Sequence, residues 1–137
     1  MTEVISISFS VLFWMVAARS NAIMDTLAHH YSTSIFSDKD KYPEIIWNPE
    51  KSWTNKYVNG DKEQGFKKVR FLFWDVNIFM FMTDKWHLYK SLMLVFMVNS
   101  IVTYRDLGWF WNLVMFAVYG VVWILTFNIY YNKILKK

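Results

Sequence analysis

The feature that most constrains this chain is the stretch 107–131, which carries no ionisable side chain other than tyrosine. It is longer than the ~20 apolar residues that an α-helix needs to cross about 30 Å of hydrocarbon. Trp109 and Trp111 stand near one end, and Tyr130 and Tyr131 near the other. Amphipathic rings favour the two headgroup levels in this way. Lys133, Lys136 and Lys137 then close the segment with positive charge.

The remaining composition fits a bilayer better than water. Of 137 residues 55% are hydrophobic, among them 12 Phe, 8 Trp and 8 Tyr. A soluble domain of this size is mostly surface and has too little interior to hide them. Lipid tails solvate such an exterior instead. There is no cysteine, so disulfides, thiolate metal sites and cysteine nucleophiles are excluded. The net charge of +4 does not point to nucleic acid, because the basic residues flank apolar segments and no nucleic-acid motif accompanies them.

Two further segments read as spans. Residues 4–18 are uncharged, interrupted only by Ser6, Ser8 and Ser10, whose hydroxyls can bond to the preceding helical turn. No Gly or Pro stops this helix before about residue 30. Glu3 and the lack of any Lys or Arg before the apolar run argue against a signal peptide and for a retained helix. A single helix over 71–104 would measure about 50 Å, well beyond the hydrocarbon thickness. The span is therefore expected to start at Thr83 or Asp84, either of which serves as an N-cap. Residues 71–82 are expected as a strand or interfacial segment. Between 32 and 70 the chain is polar and turn-rich, yet Ile45, Ile46, Trp47, Trp53 and Tyr57 predict a loop docked on the helices or at the headgroups. Asn48-Pro49 and Asn59-Gly60 are its expected turns.

The fold class is thus an all-α membrane protein. Transmembrane helices are expected at about 4–30, 84–104 and 107–131, in a single membrane domain with an ordered loop between the first two. The loop has eight Lys/Arg and the C-terminus three lysines, whereas Glu3, Arg105 and Asp106 are the only charges on the opposite side. Positive residues stay inside. A multi-pass inner-membrane protein with an external N-terminus and a cytoplasmic loop and C-terminus is expected.

That topology puts Asp25 and His29 near the cytoplasmic end of the first helix, and Asp84 and His87 near the cytoplasmic start of the second. Asn21, Asp25 and His29 recur at i, i+4, i+8, and Asp84, His87 and Ser91 at i, i+3, i+7, so each set shares a helical face. Carboxylate and imidazole one turn apart are how helical bundles present metal ligands. Asp25, His29, Asp84 and His87 would suit one divalent metal, zinc above others. Intramembrane charge is costly and marks such residues for function, although headgroup water or pairing of Asp25 with Arg19 or Lys90 would also explain them. Arg19, Asn21, Lys90 and Ser91 are the expected ligand-binding residues, the two cations as contacts for a phosphate or carboxylate. His30 points about 100° away from His29 and reads as interfacial. Asn99 is expected to bond between helices.

The strings Asn21-Ala22-Ile23-Met24-Asp25-Thr26, Asn48-Pro49-Glu50-Lys51-Ser52-Trp53-Thr54-Asn55-Lys56-Tyr57 and Thr83-Asp84-Lys85-Trp86-His87-Leu88-Tyr89-Lys90 resemble small uncharacterised integral membrane proteins of bacteria and their phages. The resemblance covers residues 20–95 or so. It implies a shared site and names no reaction.

Three functions follow as expectations. The first is a site at the cytoplasmic leaflet for hydrolysis or binding of a lipid-like or phosphate-bearing ligand, with a metal-activated water if it is an enzyme. The second is a non-catalytic accessory protein that packs on a protein partner or self-associates as a homo-oligomer. The third is haem held by His29 or His30 together with His87.

Overall fold

Three long helices carry the architecture, in a computed structural model that describes residues 3–71, 74–76 and 82–137. In chain order the helices are α1 (Glu3–His29), the one-turn α2 (Glu44–Trp47) and α3 (Pro49–Ser52), α4 (Lys85–Thr103) and α5 (Trp109–Ile129). A π-turn over Tyr130–Ile134 prolongs α5. Strands Val69–Phe71 and Trp74–Val76 form a short antiparallel ribbon. The expected interfacial segment 71–82 lies partly outside the described residues.

Among the described residues, two stretches are long and apolar enough to cross a membrane: Glu3–His29 and Trp109–Ile134. α4 does not join them, because Lys85, His87 and Lys90 occupy its first two turns and leave only the remainder apolar. The physical origin of this shortfall is the polar site that α4 begins with.

α1 is the central helix and packs on both α4 and α5. Ser6 Oγ donates to the carbonyl of Thr103 at 2.5 Å, and Ser10 Oγ to that of Ser100 at 2.6 Å, so α1 and α4 run antiparallel. Ser10 and Trp14 meet Tyr119, and Arg19 stacks over the Tyr130 ring at 5.2 Å, so α1 and α5 run parallel. Small residues make the close approach feasible: Ser6, Ser10, Ala17, Ala18 and Ala22 are all buried. Ser8 bonds back to Val4 on its own helix, as the sequence suggests, and Ser20 bonds to Val16 in the same way. Ser6 and Ser10 instead reach across to α4. Asn99 is the reverse case: it donates to Val95 of its own helix at 2.8 Å, and no interhelical bond forms among the described residues. It is exposed, and its amide bonds back to the preceding turn.

A second core closes the far end of the bundle. Ala22, Ile23 and Leu27 of α1 bury against Phe36 and Leu135, with Tyr42, Trp47, Trp86 and Tyr89 packed around them. Phe36 stacks on Trp47 with centroids 4.6 Å apart, and Tyr42 meets both rings edge-on. The C-terminus returns to this core. Ile35 N–H donates to the Leu135 carbonyl at 2.9 Å, and Lys137 N–H to that of Thr33 at 2.9 Å. Asn48 caps α3 through the Glu50 N–H, with Pro49 at the first helical position where its missing N–H costs nothing. Asn59 and Gly60 take the left-handed backbone (φ 51° and 76°) that their turn demands. Glu44 lies between Lys39 and Lys51, whose hydrogen bonds hold its carboxyl below the usual range.

Candidate functional site

The α4 N-terminus builds the most developed polar site. Asp84 has extended backbone (φ −141°, ψ 157°) and caps the helix, its Oδ1 accepting the His87 N–H at 2.9 Å. Its other oxygen, Oδ2, lies 2.6 Å from His87 Nδ1. The carboxylate is 2% exposed, whereas the imidazole side chain is 43% exposed. One buried group therefore organises both the first turn and the ring. A proton between Oδ2 and Nδ1 fixes the ring so that Nε2 is the working nitrogen. Among the described residues Nε2 has no partner.

Aromatic rings and two cations share the first turns of α4 with this pair. Trp86 meets the His87 ring edge-on at 5.0 Å. Lys90 lies over the Trp86 ring at 5.1 Å, and Lys85 over Trp47 at 5.3 Å. Cations laid on rings lose little of their charge and are held in place, each contact contributing about 0.5–1 kcal/mol at an exposed site. Asn55 of the loop donates to the Thr83 carbonyl at 3.1 Å, which ties the loop to the residue before the cap.

The other expected ligands are differently placed. Counting on from the Ser6–Thr103 and Ser10–Ser100 pairs brings Asp25 level with the start of α4. Even so, among the described residues no group of three or more His, Asp or Glu is arranged to hold a metal ion. The set Asp25, His29, Asp84, His87 is therefore not assembled as four ligands. The reason is partly local: both Asp84 oxygens are committed to His87, which makes Asp84 an orienting group. His29 ends α1 and is exposed. Asp25 and Asn21 are half-buried on α1, Asp25 in no ion pair among the described residues. Ser91 is half-buried one turn beyond His87.

Arg19 and Lys90 do not pair with Asp25. Each lies on an aromatic ring, Tyr130 and Trp86 respectively. His30 contacts Tyr131 edge-on at 5.4 Å and lines a small cavity of about 100 Å³ between the ends of α1 and α5. No hydrogen bond or ring contact among the described residues joins His29 or His30 to His87.

Two polar groups at the opposite end were not legible as sites. Ser10, Ser100 and Tyr119 form a knot in which each hydroxyl is bonded. Tyr104 OH donates to Asn112 Oδ1 at 2.6 Å, and Asn112 Nδ2 donates to Asp106 Oδ1 at 2.7 Å. That bond, with a second from the Gly108 N–H, holds the Asp106 carboxyl below its usual range. An Asn inside an otherwise apolar span was the available signal for the second group. Ser10 and Ser100, 90 positions apart, gave none.

Comparison with protein families, with curated proteins and with solved structures finds no match. The geometry alone carries the functional argument.

Proposed function

We propose that this chain is a three-span inner-membrane protein that binds a phosphate-bearing, lipid-like ligand at its cytoplasmic face through His87. The observation that carries the reading is the buried Asp84 carboxylate, which spends both oxygens on His87 and leaves Nε2 unpartnered among the described residues, on the same two helical turns as Lys85 and Lys90. A buried charge is costly unless it is paired, and here its pairing directs one imidazole. Lys85 and Lys90 supply positive charge for a phosphate, and Trp47 and Trp86 supply apolar surface for the adjoining glycerol or chain. Basic residues of the loop add about 1 kcal/mol each near an anionic leaflet.

The parallel course of α1 and α5 supports three passes. If both cross in the same direction, α4 must carry the chain back, and it lies antiparallel against α1 for that purpose. The apolar part of α4, beyond Lys90, then sits in hydrocarbon while its polar first turns reach the cytoplasmic headgroups. Reporter fusions after Gly60 and after Lys137 are expected to report the cytoplasm together. Opposite sides for the two would overturn the three-pass topology.

Calorimetric titration of the detergent-solubilised protein with dioctanoyl phosphatidic acid tests the site. Wild type is expected to bind, and His87→Ala to weaken binding at least tenfold. His29→Ala and His30→Ala should stay within twofold of wild type. Failure of wild type to bind, or equal losses for all three variants, would refute the assignment to His87.

A second reading rests on the same pair. A carboxylate behind an imidazole also typifies metal-ligating histidines, and a site of one divalent ion, zinc first, would use Nε2 as a ligand. Elemental analysis giving one metal per chain, lost in His87→Ala, would favour it.

A further inference from the structure

A groove of about 520 Å³ opens between α1, α4 and α5, at the end of the bundle away from His87. Trp14, Ile101, Met115, Phe116, Trp123 and Ile124 give it apolar walls. Its floor is the Ser10–Ser100–Tyr119 knot. Ser10 Oγ donates to the Ser100 carbonyl and Ser100 Oγ to the Ser10 carbonyl, while Tyr119 OH lies 2.5 Å from Ser10 Oγ. The Trp14 indole N–H is spent on the Tyr119 carbonyl at 3.0 Å, and Tyr104 OH on Asn112. The donors of Ser10, Trp14, Ser100, Tyr104 and Tyr119 therefore each have a partner within the protein, and of the wall's indoles only Trp123 keeps its N–H without one among the described residues. The interior of the groove asks a ligand mainly for hydrocarbon.

Gly120 of α5 also lines this groove. A mid-helix glycine lowers helix stability by about 0.5–1 kcal/mol relative to alanine. It is usually explained by a close approach of another element, but a Cβ built at Gly120 meets nothing within 4 Å. The missing side chain is thus not needed by the protein's own packing. It keeps the groove open.

The mouth carries charge of both signs. Tyr104 and Asn112 end the lining, and the connection between them contains Arg105 and Asp106, both exposed. Asp106 is held in place through Oδ1 by Gly108 and Asn112, which leaves Oδ2 unbonded among the described residues. The Arg105 guanidinium likewise has no partner there. An apolar slot ending in an adjacent cation and anion is complementary to one phospholipid: a chain in the groove, a phosphate at Arg105 and an ammonium at Asp106.

We propose that the groove seats one acyl chain of a phosphatidylethanolamine from the leaflet opposite the His87 site. The proposal rests on the membrane-spanning reading of α1 and α5 and is independent of the ligand at His87. The test is native mass spectrometry of the full chain in non-ionic detergent, titrated with dipalmitoyl phosphatidylethanolamine and, separately, with dipalmitoyl phosphatidylglycerol. Wild type is expected to retain one phosphatidylethanolamine, at least fivefold more tightly than phosphatidylglycerol. Gly120→Leu, which fills the groove where space is free, should weaken retention at least tenfold without lowering the melting temperature. Arg105→Gln should weaken it severalfold with the groove intact. Equal retention by wild type and Gly120→Leu would overturn the groove site. A dimer of wild type that Gly120→Leu abolishes would overturn it in favour of a second copy. A chain that fails to enter liposomes would instead remove the membrane reading itself.

Discussion

Ser10→Leu is expected to destabilise the bundle by about 2–5 kcal/mol, combining overpacking with stranded hydroxyls. Ser10 is 0% exposed and Ser100 2%, and their hydroxyls bond reciprocally to each other's backbone. That arrangement brings the two helices so close that the bulk of a leucine side chain cannot be housed without separating them. Ser10→Ala removes the Ser10 hydroxyl's bonds without adding volume, keeps the one that Ser100 Oγ makes to the Ser10 carbonyl, and should cost only ~0.6–1.7 kcal/mol, between the average and the largest value for polar pairs between membrane helices. Ser8→Leu, on the exposed face and bonded only to Val4, should change stability by no more than ~0.5 kcal/mol. Unfolding in mixed detergent, followed by tryptophan fluorescence, measures all three. If Ser10→Leu unfolds with Ser8→Leu, the close α1–α4 contact does not exist in solution.

The helices were legible because their signals are local. The uncharged runs announced α1 and α5, and Asp84 announced the start of α4 through the capping preference of a short carboxylate. What α4 is proved less legible. The same three residues that make its first turns polar, Lys85, His87 and Lys90, keep it from qualifying as a span by apolarity. Its antiparallel path beside α1 is a tertiary fact that periodicity cannot express.

The site was half legible for a related reason. Asp84 and His87 are three residues apart on one helix, so their spacing sufficed to pair them. Asp25 and His29 also share a face, but sharing a depth with α4 is not the same as facing it. Each rotation about a helix axis by one residue turns a side chain by about 100°, and no pattern within α1 reports its rotation relative to α4. The serines carried the missing information. Ser6 and Ser10 mark the face of α1 that meets α4, yet in sequence they cannot be told from Ser8, which bonds within its own turn. Arg19 and Lys90 were legible as cations, while their aromatic partners, Tyr130 and Trp86, became evident only from the packing.

Asp84→Ala is expected to cost about 2–4 kcal/mol, since it removes a helix cap and a charge-assisted hydrogen bond together. The cap role belongs to Oδ1 and the orienting role to Oδ2, so the two can be separated. Asp84→Asn keeps an oxygen for the His87 N–H and should stay within ~1 kcal/mol of wild type in thermal unfolding. Its amide nitrogen, however, is a donor where Oδ2 was an acceptor. It can face Nδ1 only if that nitrogen gives up its proton, which moves the neutral ring to the Nε2–H tautomer. Nitrogen-15 NMR of labelled histidine reads that change directly. The Nε2–H of that tautomer still donates to a phosphate oxygen, so dioctanoyl phosphatidic acid binding should persist in Asp84→Asn and be lost in His87→Ala, whereas a metal ligated by a bare Nε2 should be lost in both. An unaltered tautomer would reduce Asp84 to a cap. Unchanged stability of Asp84→Ala would deny it even that role.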